Sequence, residues 1–451
     1  MKRQSRSSGA RVSIRILTMI ILASGSTYTG MEFVTAHPSG QLDDIDPAFL
    51  SDTNVYCDRL ILVDLNTRNT LARGNAIMSP GRLDVELTSG IALSCQAHME
   101  YVNPADHSEP PSAVGVPIVY AFWRDDSKSW DSGYYFSERY GIATFGDVAI
   151  LPDASAFLLP TVSYRSNRDS SVVILPNNPP YYVRKFPMPP RPTRPTQLPE
   201  PTASFQTDGV AAQIVLSADG SVAHIVTDTA MLYSIRTDTM TEIAPPVALP
   251  PIVGLSTFAL GTPIAFVSAD ITADDRYLVT NQGRAGAITV VDLEARSVRT
   301  VALDRKPAIV GGVAINRGWL NRGLLAVHEQ SRFAIFDFDP ATSTTLHELD
   351  THSMPPQNPA GGATVFYTLA WNTAGDKLIV SGFMRGGFDV FAVRDGRKLE
   401  RLGDIDGCGA LPAGIWTANG RAVPSPTPTP APSSWTKTCS ASRPSSRPVE
   451  R

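Results

Sequence analysis

One strand-like pattern recurs along the chain: apolar, any residue, apolar, apolar, small or Asp, apolar. Ala287 to Leu293 (AITVVDL) is the clearest copy, and Arg332 to Phe338 (RFAIFDF) and Gly387 to Val393 (GFDVFAV) match it. Ala230 to Ile235 carries Ser234 at the Asp place, and Asp58 to Leu65 carries Asp64. Val116 to Phe122 and Ser170 to Leu175 are weaker copies, with Ala121 and Ile174 there. The markers Asp64, Ala121, Ile174, Ser234, Asp292, Asp337 and Ala392 stand about 55 residues apart on average. A recurrence of that length confines the chain to a repeat architecture. Solenoid units of roughly 20–35 residues are too short for it.

Each good copy has the same neighbours. Upstream lie a turn and another strand: Ser217-Ala218-Asp219-Gly220 before VAHIVT, Thr272-Ala273-Asp274-Asp275 before RYLVTN, Asn372-Thr373-Ala374-Gly375 before DKLIVSG. Asp and Gly tolerate the positive φ that tight hairpins need. Downstream lies a more polar strand: Ser297 to Leu303, Thr344 to Leu349, Lys398 to Leu402. The unit is an antiparallel four-stranded blade. One blade cannot bury both of its faces, whereas blades packed radially can. The expected fold is therefore all-β, a seven-bladed β-propeller. Asn54 to Cys57 is the short strand before the first marker. Gly414 to Val423 supplies the inner strand missing at the N-terminus, so both termini share one blade and close the ring.

Composition excludes several classes. Charged residues are 18 % and the formal net charge is −4, without the basic stripe of a nucleic-acid binder. Hydrophobic residues at 43 % suffice for a core. No apolar run reaches ~18 residues, so no membrane span is expected. Residues 1–36 read as an export signal. Lys2, Arg3, Arg6, Arg11 and Arg15 precede the apolar Ile16 to Ala23, with small residues following. A secreted protein, extracellular or periplasmic and monomeric, is expected. The propeller should span 48–423, with a polyproline-like excursion at 187–201 between the third and fourth blades. From Pro424 onward there are seven Pro and seven Ser with no Leu, Ile or Phe, a composition that cannot build a core.

The four cysteines, Cys57, Cys95, Cys408 and Cys439, suit an oxidising compartment and allow three pairings. Repeat register puts Cys57 and Cys408 on the same rim of the shared blade, and a disulfide between them is expected. Cys57 with Cys95, or free thiols, remain the alternatives. Cys95-Gln-Ala-His98 is a C-x-x-H in a polar, loop-like segment whose spacing matches no zinc pattern. No metal or cofactor is expected.

The stretch Ile271 to Val301 (ITADDRYLVTNQGRAGAITVVDLEARSVRTV) resembles the YVTN-type and lactonase-type seven-bladed β-propellers. Tyr277-Leu278-Val279-Thr280-Asn281 and Val290-Val291-Asp292 stand where those families repeat Tyr-Val-Thr-Asn and Val-Ile-Asp. The resemblance implies the fold and carries no chemistry by itself.

In a propeller, the turns between second and third strands share a rim with the connections between blades. That rim should carry Arg165, Arg168, Asp228, Asn281, Arg284, His328, Glu329, Arg332 and Arg385. Arg165, Asn281, Arg284, His328, Arg332 and Arg385 are the candidate ligand-binding residues, because guanidinium groups bind carboxylates or phosphates bidentately. His328 or Glu329 would be the base of a lactonase or cyclase, and Arg284 or Arg332 its charge stabiliser. No G-x-S-x-G, H-E-x-x-H or phosphate loop is present. The expected function is a binding scaffold for a protein or small anionic ligand. The alternative is a lactonase-like or cyclase-like enzyme on a small anionic substrate.

Overall fold

The computed structural model describes residues 46–53, 58–76, 83–86, 90–100, 114–124, 130–136, 140–142, 147–163, 180–190, 196–251, 267–281, 286–304, 310–317, 323–329, 332–353, 368–382, 387–406 and 411–417. All regular elements among them are strands. Each sheet is an antiparallel meander running from a central channel outward. One has Leu83–Glu86, Ile91–Glu100, Val114–Arg124 and Trp130–Phe136 in that order. In the next, Tyr140–Ile142 and Ala149–Ile150 both pair with Ala156–Ser163, followed by Tyr181–Pro187 and Ala203–Thr207. A third has Ala211–Leu216, Val222–Thr227, Met231–Arg236 and Thr241–Ala248.

An eight-stranded sheet follows. It consists of two meanders, Ala269–Ile271 to Ser297–Leu303 and Val310–Ile315 to Thr345–Ser353. They are joined only where Ala302 and Leu303 run parallel to Thr345 and Leu346. Then come Leu369–Trp371, Lys377–Gly382, Gly387–Arg394 and Lys398–Asp406.

The last sheet joins the two ends of the described chain. Its inner strand is Leu411–Thr417, its second is Pro47–Thr53, and Asp58–Asp64 and Asn69–Ala76 complete it. Ala48 faces Thr417 and Leu50 faces Ile415. The shared sheet expected from the sequence is present, with one correction. Its second strand is Pro47–Thr53, and 54–57 lie outside the described residues.

The strands are buried on both faces because each sheet lies between two others. In Val222–Thr227, Ile225 packs with Leu158 of the preceding sheet and Val226 with Leu278 of the following one. Fully burying each such side chain contributes about 1.5–3 kcal/mol. The turns repeat as well. Ala154, Gly220, Asp275 and Gly375 each donate their N–H to the carbonyl three residues back, at φ between 52° and 70°. The marker Asp64 serves the next turn, its carboxylate accepting from Asn66 N and Thr67 Oγ1. Asp292 does the same with Glu294 N and Ala295 N, and those hydrogen bonds hold its carboxyl below the ordinary range.

Two expectations are displaced. Ser170 to Leu175 lies outside the described residues, and the third strand of its sheet is Tyr181–Pro187. Arg184 and Lys185 interrupt its apolar pattern, which buries only Val183 and Phe186 fully. The proline-rich excursion lies within this sheet, between Tyr181–Pro187 and Ala203–Thr207. From there it reaches the preceding sheet, where Thr196 and Gln197 pair parallel with Tyr135 and Phe136. Tyr135 Oη donates to Pro190 O at 2.9 Å. Proline lacks an N–H, so a proline-rich segment joins a sheet only at its edge.

Candidate functional site

The inner strands surround a cavity of about 210 Å³ on the channel. Its polar lining comprises Asp84, Asp147, Gln213, Asp270, Arg317 and Thr417. Three of these stand just before or within inner strands and share one geometry. Asp84 accepts Val85 N at 2.9 Å and Ile150 N at 2.7 Å. Asp147 accepts Val148 N at 3.0 Å and Ile214 N at 3.1 Å. Asp270 accepts Ile271 N and Ile315 N, both at 2.8 Å. Each carboxylate thus ties the N–H of its own successor to the inner strand of the next meander. No ladder pairing joins the described inner strands to one another, and these carboxylates satisfy N–H groups at their edges.

Side chains complete the arrangement. Gln213 Nε2 donates to Asp147 Oδ2, and Arg317 Nη2 donates to Asp270 Oδ1. Arg317 and Asp270 are 17 % and 16 % exposed, so the ion pair lies at the cavity wall and not in bulk solvent. Arg317 also acts on Asp275, whose carboxyl is pushed up by burial and drawn partly back by that guanidinium. Arg317 is the only basic side chain in the described lining. A cavity holding acceptors, an amide and one guanidinium can orient a small polar molecule and stabilise a developing oxyanion.

The expected rim residues divide into two groups. Arg165, Arg168, Arg284 and Arg385 lie outside the described residues, as do Cys57, Cys408 and Cys439. Asp228, Asn281, His328, Glu329 and Arg332 are described, and none lines the channel cavity. Asn281 is fully buried; its Oδ1 accepts Ser268 N at 2.9 Å and its Nδ2 donates to Val310 O at 3.2 Å. His328 is fully buried, and desolvation pushes its imidazole well below the usual range. Arg332 Nε donates to Glu329 Oε2 at 3.0 Å, and its Nη2 lies 3.5 Å from Glu348 Oε2. The structure pairs Glu329 with Arg332 and leaves His328 on the opposite face of their strand, as adjacency demands.

The Cys95 to His98 segment is a strand and not the expected loop, with Cys95 opposite Val119. Among the described residues, no group of three His, Cys, Asp or Glu side chains is placed to hold a metal ion. No helix among them is long and apolar enough to cross a membrane.

Sequence reasoning missed Asp84, Asp147 and Asp270. A signal exists: Leu83-Asp84-Val85, Gly146-Asp147-Val148 and Ala269-Asp270-Ile271 each put Asp before a β-branched residue ahead of a turn. The strands are as short as Ala149–Ile150, which gives periodicity almost nothing to work on.

No family model matches the sequence. No curated protein matches it. Solved structures do. The periplasmic gluconolactonase PpgL of Pseudomonas aeruginosa is similar at a TM-score of 0.54 and 14 % identity, over 82 % of this chain and 98 % of that one. A Bacteroides fragilis protein described as a candidate 6-phosphogluconolactonase is similar at 0.53 and 12 %, over 84 % and 99 %. A Bacteroides uniformis protein described in the same way is similar at 0.52 and 11 %, over 83 % and 99 %. At such identities the likeness establishes the fold. These neighbours overturn the expectation of a non-catalytic scaffold: the solved propellers of this shape include a periplasmic gluconolactonase and two candidate 6-phosphogluconolactonases. The chain is a β-propeller with the fold of the lactonase-type family.

Proposed function

We propose that the protein is a lactonase-like hydrolase acting on a small sugar-type lactone in the channel cavity. The observation that carries this reading is the cavity itself, in which Arg317 stands among Asp84, Asp147 and Asp270. Its volume lies below the roughly 300–1,000 Å³ of drug-sized pockets and suits one small ring. Water adds to the lactone carbonyl, the ring C–O bond breaks, and the ring oxygen takes up a proton to leave a hydroxy acid. Asp84 or Asp147 receives the proton of the attacking water, and the Arg317 guanidinium holds the developing oxyanion. We read the meanders as seven blades, counting the two halves of the eight-stranded sheet separately. The export segment 1–36 and a monomeric state belong to the same proposal; the periplasmic neighbour supports the first.

The test is acid release from a panel of aldonolactones by wild type and Arg317→Gln. Turnover that falls about 100-fold or more in the variant is expected. No turnover of any lactone, or an undiminished variant, overturns the reading.

A further inference from the structure

Asp270 does more at the channel than tie two strands together. Its Oδ1 and Oδ2 accept the backbone N–H groups of Ile271 and Ile315, both at 2.8 Å, one from its own meander and one from the next. Both oxygens are thereby fixed to main chain, and Oδ1 takes a further hydrogen bond from Arg317 Nη2. Arg317 stands two residues beyond Ile315, just past the end of Val310–Ile315. Asp270 therefore grips one strand twice, by an amide and by a side chain. A guanidinium is planar, so a strong hydrogen bond at Nη2 sets the direction of its other N–H groups. Of these, Nε is closed off in the wall with no hydrogen-bond partner among the described residues. Asp275, the other carboxylate acting on Arg317, has both oxygens turned to Ala218 N, at 3.0 and 2.8 Å. Nη1 is the nitrogen left to a molecule in the cavity, and Asp270 decides where it points.

We propose that Asp270 is the positioning residue of the site, holding the plane of the Arg317 guanidinium so that Nη1 meets an acceptor oxygen of the bound molecule. For the reaction this rests on the lactonase reading, in which that oxygen is the carbonyl oxygen as it takes up charge. Without the carboxylate, the long side chain regains its rotamers, and ordering it again costs free energy at every turnover. The donor then no longer waits where the charge develops. The loss falls on the transition state more than on ground-state binding, because an oxyanion depends on a placed donor more steeply than a neutral carbonyl does.

The experiment uses the full chain and glucono-1,5-lactone, with kcat and KM measured separately for wild type and Asp270→Asn. A fall in kcat of about 10-fold or more, with KM within about 3-fold, is expected. Side-chain NMR of isotopically labelled arginine gives a readout that needs no turnover. The Nη signals of Arg317 are assigned by their loss in Arg317→Lys. In wild type the two Nη groups should give separate signals, because the ion pair slows rotation about the Nε–Cζ bond. In Asp270→Asn they should merge. A carboxylate that only ties Ile271 to Ile315 would move stability and leave that rotation as it is. Merged signals in wild type overturn the proposal, and this arm stands if Asp270→Asn does not fold. Signals that stay separate in Asp270→Asn overturn it too. Full kcat in Asp270→Asn, or a loss confined to KM, overturns the positioning role and leaves the lactonase reading intact. If wild type hydrolyses no aldonolactone, the lactonase reading falls and the Nη signals alone decide the positioning.

Discussion

Lys377 Nζ lies 2.8 Å from Asp46 Oδ2, although 331 residues separate them. Asn372 Nδ2 reaches the same oxygen at 2.7 Å, and Lys377 Nζ also meets Asn66 Oδ1 at 2.9 Å. Both charged side chains are 13 % exposed. The network sits where Pro47–Thr53 enters the sheet completed by Leu411–Thr417, and it fastens that sheet to its neighbour. Asp46→Ala should lower the unfolding free energy by about 1–2 kcal/mol, since it removes the shared acceptor and leaves Lys377 Nζ with Asn66 and Asp376, and Asn372 Nδ2 with Asp376. Urea denaturation checks it, and a loss under 0.5 kcal/mol would show that the network adds little.

Deleting residues 411–451 should cost far more than deleting 424–451. The longer deletion removes Leu411–Thr417 and exposes the edge of Pro47–Thr53 that pairs with it. Thermal melting of both truncations is the measurement, and equal melting temperatures would refute the closure by strand pairing.

Asp270→Ala should destabilise by about 2–4 kcal/mol. It removes the acceptor of Ile271 N and Ile315 N and leaves Arg317 without its carboxylate. Asp270→Asn, which keeps one acceptor oxygen, should lose less. Chemical denaturation of the pair distinguishes a latch from a spectator.

Acid should weaken the fold through its buried histidines. Burial lowers His224 to about 4, with Ser234 Oγ 3.0 Å from its Nδ1. Burial lowers His328 as well. An unfolded histidine titrates near 6.5, so between about pH 6.5 and 4 the unfolded chain binds more protons than the folded one. Stability is therefore full above pH 6.5 and declines as pH falls through that window, by about 3 kcal/mol for His224. His224→Gln should flatten that part of the profile, as read from unfolding free energy against pH.

Repeat spacing along the sequence pairs Cys57 with Cys408, both of which lie outside the described residues. A disulfide there would contribute ~3–5 kcal/mol because it closes so long a loop. Non-reducing peptide mapping should yield a Cys57–Cys408 linked peptide; a Cys57–Cys95 peptide would end the idea.

Local chemistry was legible without coordinates. Third strands such as Ala287–Asp292 and turns such as Ser217–Gly220 are written in a few adjacent residues, because their apolar pattern, turn hydrogen bonds and positive φ are satisfied within one hairpin. Tyr181–Pro187 escaped because cationic residues occupy places the pattern reserves for apolar ones.

The function of the channel carboxylates was not legible. Nothing local marks Asp84 as the partner of Ile150, or Asp147 of Ile214, 66 and 67 residues further on. Sequence alone determined that the chain must fold as repeated hairpins whose two ends meet in one sheet. Only the tertiary structure decided which side chains surround the channel. Their partners are backbone groups of the next meander, brought near by ring closure and by no spacing along the chain.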